Sequence, residues 1–300
     1  MERPDHGLPV ELEPGVRLVL APNPSPMTHW GTNTYLVGTD DLAVIDPGPD
    51  DPAHLSALMR AIGGARVSAI LVTHAHRDHS PLAAPLAHET NAPVLAYGAP
   101  GDGRSPVMER LAREGGVGGS EGVDEDFRPD RRIAEGDAIS LGRLGLEVLH
   151  TPGHFPGHLS FALGDAVFSG DHVLGWASTF ISPPDGDVAA FMATSRRLRD
   201  RGARVFYPGH GAPVRDPEGT LDWLVAHRRE REASILAAIQ ETPLSTAEIA
   251  ARVYTDTDPR MLPAAKRNVL AHLVDLVEKG RVTAMPSLGS EARFSRTAGA

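Results

Sequence analysis

The sequence contains no cysteine. That one absence removes disulfides, thiolate metal ligands, cysteine nucleophiles and iron–sulfur clusters together. No apolar run approaches the roughly 18 residues of a membrane span, and residues 1–15 lack the apolar stretch of a secretory signal, so a cytoplasmic protein is the expectation. An excess of positive charge is missing as well. The 29 Lys and Arg stand against 39 Asp and Glu, a formal net charge of −10, which is unsuited to general phosphate-backbone binding. Size and hydrophobicity are ordinary: 300 residues, 41% hydrophobic and 23% charged. They allow one large α/β domain, or a domain of about 200 residues with a smaller one beside it. Histidine is what the chain has in excess, with 14 residues.

Residues 16–21, 34–37 and 42–46 read as strands, the last ending in Asp46-Pro47-Gly48, where proline and glycine force a turn. Pro52 opens a helix with Leu55, Leu58, Met59 and Ile62 at helical spacing. Residues 67–73 form a short apolar, partly β-branched run, the pattern of a strand buried on both faces. Similar runs recur at 93–97, 146–150, 159–163, 166–169 and 205–207, with helical patterns at 82–89, 188–201 and 219–240 among them. The alternation predicts an α/β or layered α+β domain. Residues 98–132 break it with glycine-rich, weakly periodic sequence, expected to be an irregular insertion, either disordered or a lid over a site. From about residue 235 the character changes. Ser245-Thr246-Ala247-Glu248 is a capping box, helices are expected at 246–254 and 263–278, and short strands at 281–285 and 292–295. That order is the order of a winged-helix module, which divides the chain into residues 1–234 and 235–300.

The strand at 67–73 runs directly into His74-Ala75-His76-Arg77-Asp78-His79. At the chain's own residue frequencies this pattern is expected about 0.002 times by chance, which sets aside a merely solvated loop. His74 and His76, two apart in extended backbone, point to one side and can share a metal ion. Asp78 and His79 follow a turn and can reach a second ion nearby. Further ligands are expected from other strand ends: His154 after Pro152-Gly153, Asp171 after Gly170, and His210 after Pro208-Gly209. Each is a lone polar residue following an apolar strand and a glycine turn.

HxHxDH, a downstream PGH, a GD and a second PGH, in that order, resemble the metallo-β-lactamase superfamily over roughly residues 16–230. The resemblance implies a four-layer αββα sandwich with the metals at one edge of its two sheets. Carried over by position, it implies that His74, His76 and His154 hold one ion, that Asp78, His79 and His210 hold a second, and that Asp171 bridges them. Gly31-Thr32-Asn33-Thr34-Tyr35, Gly170-Asp171-His172-Val173-Leu174-Gly175-Trp176 and Pro183-Pro184-Asp185-Gly186-Asp187 look more specifically like the beta-lactamase-like protein 2 family, which also ends in a small winged-helix-like domain.

A ligand set of His and Asp without sulfur suits Zn²⁺, with Mn²⁺ or Fe²⁺ also accommodated. Two ions close together lower the pKa of a shared water toward about 7, so a bridging hydroxide attacks carbon or phosphorus without a protein nucleophile. Asp78 and Asp171 are then the catalytic carboxylates, Asp78 doubling as a proton acceptor. Asp46 ends a strand near the metal loop and either orients a ligand histidine or simply forms the turn. His158 and His172 read as supports, substrate contacts or surface histidines. Asn33, Tyr35, Trp176 and residues 178–184 read as pocket wall or core.

Two reactions compete. Acyl ester or thioester hydrolysis, on a small-molecule or carrier-bound substrate, resembles glyoxalase II and the acyl-carrier thioesterases. Single-stranded RNA cleavage is an activity of the beta-lactamase-like protein 2 family. From Leu236 onward eight basic residues meet seven acidic ones, leaving one positive charge on the C-terminal module and eleven negative on the rest. That is a poor funnel for RNA, so acyl hydrolysis leads and the module reads as a wall of the cleft or a homodimer element. A third reading, one iron at His74, His76 and His154 oxidising sulfur like the persulfide dioxygenases, leaves Asp78, His79 and His210 without a purpose.

Overall fold

A computed structural model describes residues 1–120, 122–255 and 258–297. Glu121, Asp256, Thr257 and residues 298–300, which fall in the expected insertion and C-terminal module, lie outside it. Among the described residues three sheets form. The first, in sequence order across the sheet, joins Pro9–Glu13 (β1), Val16–Leu20 (β2), Asn33–Gly38 (β3), Asp41–Ile45 (β4), Arg66–Leu71 (β5), Val94–Ala96 (β6) and Arg131–Arg132 (β7). Ala138–Leu141 (β8), Leu144–His150 (β9), Leu159–Leu163 (β10), Ala166–Gly170 (β11) and Val205–Pro208 (β12) make the second, ordered β12-β11-β10-β9-β8. The third is small, with Leu244–Ser245 (β13), Val282–Met285 (β14) and Arg293–Arg296 (β15) in the order β13-β15-β14.

The strand alternation explains why the two large sheets face each other. Tyr35 and Val37, Ala43 and Ile45, and Ala69 and Leu71 point into a core shared with Phe161, Phe168, Val205 and Tyr207 of the second sheet. Their alternate neighbours Leu36, Leu42, Val44, Ile70 and Val72 point the other way, onto helices Pro52–Ile62 (α1) and Ala83–Thr90 (α2). Successive side chains on a strand face opposite sides, so a sheet covered on both faces needs apolar residues at every position. Beyond Pro106–Glu114 (α3), the helices Val188–Arg201 (α4) and Pro217–Ala238 (α5) cover the outer face of the second sheet against Ala162, Val167 and Phe206. The result is four layers, helix, sheet, sheet and helix. Each large apolar side chain buried in these cores contributes roughly 1.5–3 kcal/mol.

The C-terminal winged-helix domain builds a separate core from Thr246–Val253 (α6), Leu262–Glu278 (α7) and the third sheet, with Ile249, Val269, Leu273 and Phe294 at its centre. The Ser245–Glu248 capping box is present at the start of α6. Helix α5 continues past residue 234 without interruption, giving Leu221 and Leu224 to the catalytic core and Ile235 and Leu236 to the C-terminal one. The segment 98–132, expected to be irregular, contains α3, and Met108, Leu111 and Val117 are buried in the C-terminal core. Its apolar residues are too few to show periodicity, and their partners lie far along the chain. Strands β1, β7, β8 and β13 had no signal in the sequence, being short or largely exposed.

Candidate metal centre

Strands β4, β5, β11 and β12 end at one edge of the sandwich, and each is followed by a polar residue aimed at the same place. Beyond β5, which ends at Leu71, His74 falls in a bend and His76 forms a bridge to Val123. The chain then turns, the amides of His79 and Ser80 both donating to the His76 carbonyl, so Asp78 and His79 face the cluster from another direction. Glycines permit the close approach from the second sheet. A Cβ on Gly209 would lie 2.4 Å from Asp171 Oδ1, and one on Gly170 (φ +49) would lie 2.6 Å from His158 Nε2.

Among the described residues three overlapping groups could hold a metal ion: His74, His76 and His154; His74, His79 and Asp171; and Asp78, His79 and His210. His76 Nδ1 lies 2.8 Å from His74 Nε2 and 3.2 Å from His154 Nε2. His210 Nε2 lies 3.3 Å from His79 Nε2 and 3.1 Å from Asp78 Oδ2. Asp171 stands between the groups, its Oδ2 3.3 Å from His210 and 3.8 Å from His154. Its Oδ1 is buried and accepts no hydrogen bond among the described residues. Imidazole nitrogens converging in pairs and a buried carboxylate oxygen without a donor are what a divalent cation resolves, so the donor set fits one.

Electrostatics separate the two halves. Burial, reinforced by the neighbouring histidines, depresses His74 and takes His76 down to about 3, so both are neutral with lone pairs available. His154 is likewise lowered by burial. In the other half burial opposes the charges, but Asp171 and Asp78 prevail and push His210 up to about 10. His79 is raised by Asp78, Asp171 and Asp46 against its burial. The two carboxylates are held below their usual range by these histidines, again against burial.

A shell of buried side chains sets the ring orientations. Asp46 accepts from the Thr73 amide at 2.8 Å and from His79 Nδ1 at 2.9 Å, which leaves His79 Nε2 facing the cluster. His154 Nδ1 donates to the Phe180 carbonyl at 2.7 Å and His210 Nδ1 to the Gly31 carbonyl at 3.1 Å. His158 accepts the Asp171 amide at 3.1 Å and so acts on that ligand's backbone. Asn33 and Tyr35 are buried braces rather than pocket wall: both donate to the Pro208 carbonyl, and Asn33 also to that of Gly211. His172 lies outside the cluster, its Nε2 paired with Ser195 Oγ at 3.1 Å and its ring stacked on Phe191. Trp176 does border the open space above the cluster.

That space is a cavity of about 880 Å³, with His76, Asp78, His154, Asp171 and His210 on its floor. Its far side is formed by Tyr254, Met261, Ala264, Arg267 and Asn268 of the C-terminal domain. Asn268 Oδ1 accepts from the Ile181 amide and from Arg228, and Arg228 also donates to the Thr179 carbonyl, so α5 and α7 fix the loop that carries Phe180. An arginine in a charged helix reads as a solvated side chain, and Arg228 gave no other signal, although it is 2% exposed.

The chain matches the model of the metallo-beta-lactamase superfamily over residues 27–210 and that of the beta-lactamase associated winged helix domain over 245–289. It is 29% identical to a beta-lactamase-like protein 2 homolog of Drosophila melanogaster, covering 91% of each chain. It is also 29% identical to an atrochrysone carboxyl ACP thioesterase of Aspergillus fumigatus, covering 76% of this chain and 66% of that one. Among solved structures, a beta-lactamase domain protein from Burkholderia ambifaria superposes with a TM-score of 0.79 at 26% identity, covering 98% of this chain and 95% of the other. A metallo-beta-lactamase family protein from Thermus thermophilus gives 0.77 at 27% identity, covering 96% and 100%.

Proposed function

The chain belongs to the metallo-β-lactamase superfamily, and from that premise we propose that it hydrolyses acyl esters or thioesters, small or carrier-bound, with two divalent metal ions. His74, His76 and His154 would hold one ion, Asp78, His79 and His210 the other, with Asp171 shared between them. An all-nitrogen-and-oxygen donor set of this kind favours zinc. When bound, such cations supply Lewis acidity and make water acidic enough to react at neutral pH.

The protein's own part is positional. Asp171 is buried where it meets both histidine groups, and His158 holds its backbone in place. Asp78 is the more open carboxylate, its side chain 29% exposed against 10% for Asp171, and is placed to accept the proton of the attacking water. Residues 1–234 carry this chemistry, and residues 235–300 shape the space above it.

The observation that carries the proposal is the complete second donor set beside the first, under a cavity whose walls are mostly apolar. The thioesterase relative supports an acyl substrate. The test is turnover of an acyl thioester and of a fluorogenic single-stranded RNA by one metal-loaded preparation, with Asp171→Asn as control. Thioester turnover lost in the variant is expected. RNA turnover lost in the variant, with no thioester turnover, would replace this reading with a nuclease.

A further inference from the structure

The cavity above the metal centre has two apolar walls facing each other. Leu174, Trp176 and Phe180 form one, on the loop after β11. Tyr254, Met261 and Ala264 form the other, on the C-terminal domain. Charge on these walls is already committed. Asp185 is held by Arg104 at 2.6 Å and by Ser120 Oγ at 2.9 Å. Arg267 donates to Ser182 Oγ at 2.8 Å and to the carbonyls of Val117 and Pro183. The other lining cation, Arg77, sits at the floor with its Nε on the Val123 carbonyl. A groove for single-stranded nucleic acid needs a row of cations along the backbone path. This one offers apolar surface instead, in a volume typical of small-molecule sites.

We infer that the C-terminal domain completes an acyl-chain pocket, and that the substrate is an ester or thioester with an extended apolar acyl group seated between Trp176 and Phe180 on one side and Met261 and Ala264 on the other. This rests on the acyl hydrolase reading and adds the substrate class and the element that selects it. The acyl carbonyl lies at the floor, its chain runs up between the walls, and each methylene buried there favours binding about fourfold.

The test uses the full-length, metal-loaded protein and a series of N-acetylcysteamine thioesters from acetyl to decanoyl. The ratio of kcat/KM for octanoyl over acetyl is expected to be on the order of a few thousand in the wild type, by the same gain over six methylenes. In Ala264→Phe, where a ring fills the pocket, that ratio falls at least tenfold. Because the readout is a ratio, loss of folded enzyme cancels. A ratio near one in active wild-type enzyme overturns the pocket and leaves the hydrolase reading intact. Calorimetric binding of a non-hydrolysable octanoyl thioether, run alongside, separates the remaining cases. Binding that weakens in Ala264→Phe without turnover of any thioester keeps the pocket and overturns the hydrolase, whereas neither binding nor turnover overturns both.

Discussion

Asp46 Oδ2 and His79 Nδ1 meet at 2.9 Å, where neither side chain is more than 3% exposed. The carboxylate fixes one ring nitrogen as a donor and thereby leaves the other free to ligate. In Asp46→Asn an amide nitrogen turned toward His79 reverses the tautomer, while the remaining oxygen still accepts the Thr73 amide. The variant is expected to stay folded and to lose about 10–100-fold in affinity for the ion at Asp78, His79 and His210, measured by competition with a chelator. Unchanged affinity would show that the pairing only terminates the strand.

Metal affinity should depend on pH with a definite sign. Asp171 and Asp78 overcome the effect of burial and hold His210 up at about 10, and His79 is raised as well. A cation that binds there has to displace the protons these shifts favour. Affinity for the ion at Asp78, His79 and His210 is therefore expected to rise with pH up to about 10, by roughly ten- to a hundredfold per unit for one or two protons displaced. Titrations at several values between pH 6 and 8 measure the slope, and a flat profile would exclude these histidines as ligands.

His272, in α7, is 1% exposed, and neither ring nitrogen has a hydrogen-bond partner among the described residues. Burial, aided by the Arg228 charge, depresses it to about 3. Its folded pKa thus lies below the unfolded value of about 6.5, so the unfolded chain takes up the proton first as pH falls. The stability linked to this residue is fully present above about 6.5 and is lost progressively toward 3. His272→Leu removes both the linkage and the unpaired N–H. It should raise stability by ~1–2 kcal/mol near neutrality and flatten the acid limb, as read from urea unfolding at two pH values. A variant less stable than the wild type at both would mean that ring shape outweighs polarity there.

The metal cluster was legible because its signals are local. His74, His76, Asp78 and His79 share one segment, and His154, Asp171 and His210 each follow a strand and a glycine that the turn requires. A layered α/β domain was legible in the apolar strands, and the four-layer order came from the resemblance carried by the motifs. Which residues of the C-terminal module line the cavity was not legible. Met261 and Ala264 carry no chemistry that marks them, and they reach the site only through the packing of α7 on residues some 80 positions earlier, such as the Ile181 amide held by Asn268. For Asn33 and Tyr35 the choice between pocket wall and core stayed open, since the carbonyl they brace, that of Pro208, lies more than 170 residues away. Helix α5 runs through the expected division at 234 and gives side chains to the cores on both sides of it.

The proposed hydrolysis depends on these side chains holding two ions, and a metal count tests that most directly. The protein is stripped with chelator, reloaded with zinc, freed of excess and assayed by elemental analysis beside Asp78→Ala. Two ions per wild-type chain and one in the variant are the predicted result. One ion in both would contradict the paired centre, and with it the division of labour between the histidine groups on either side of Asp171.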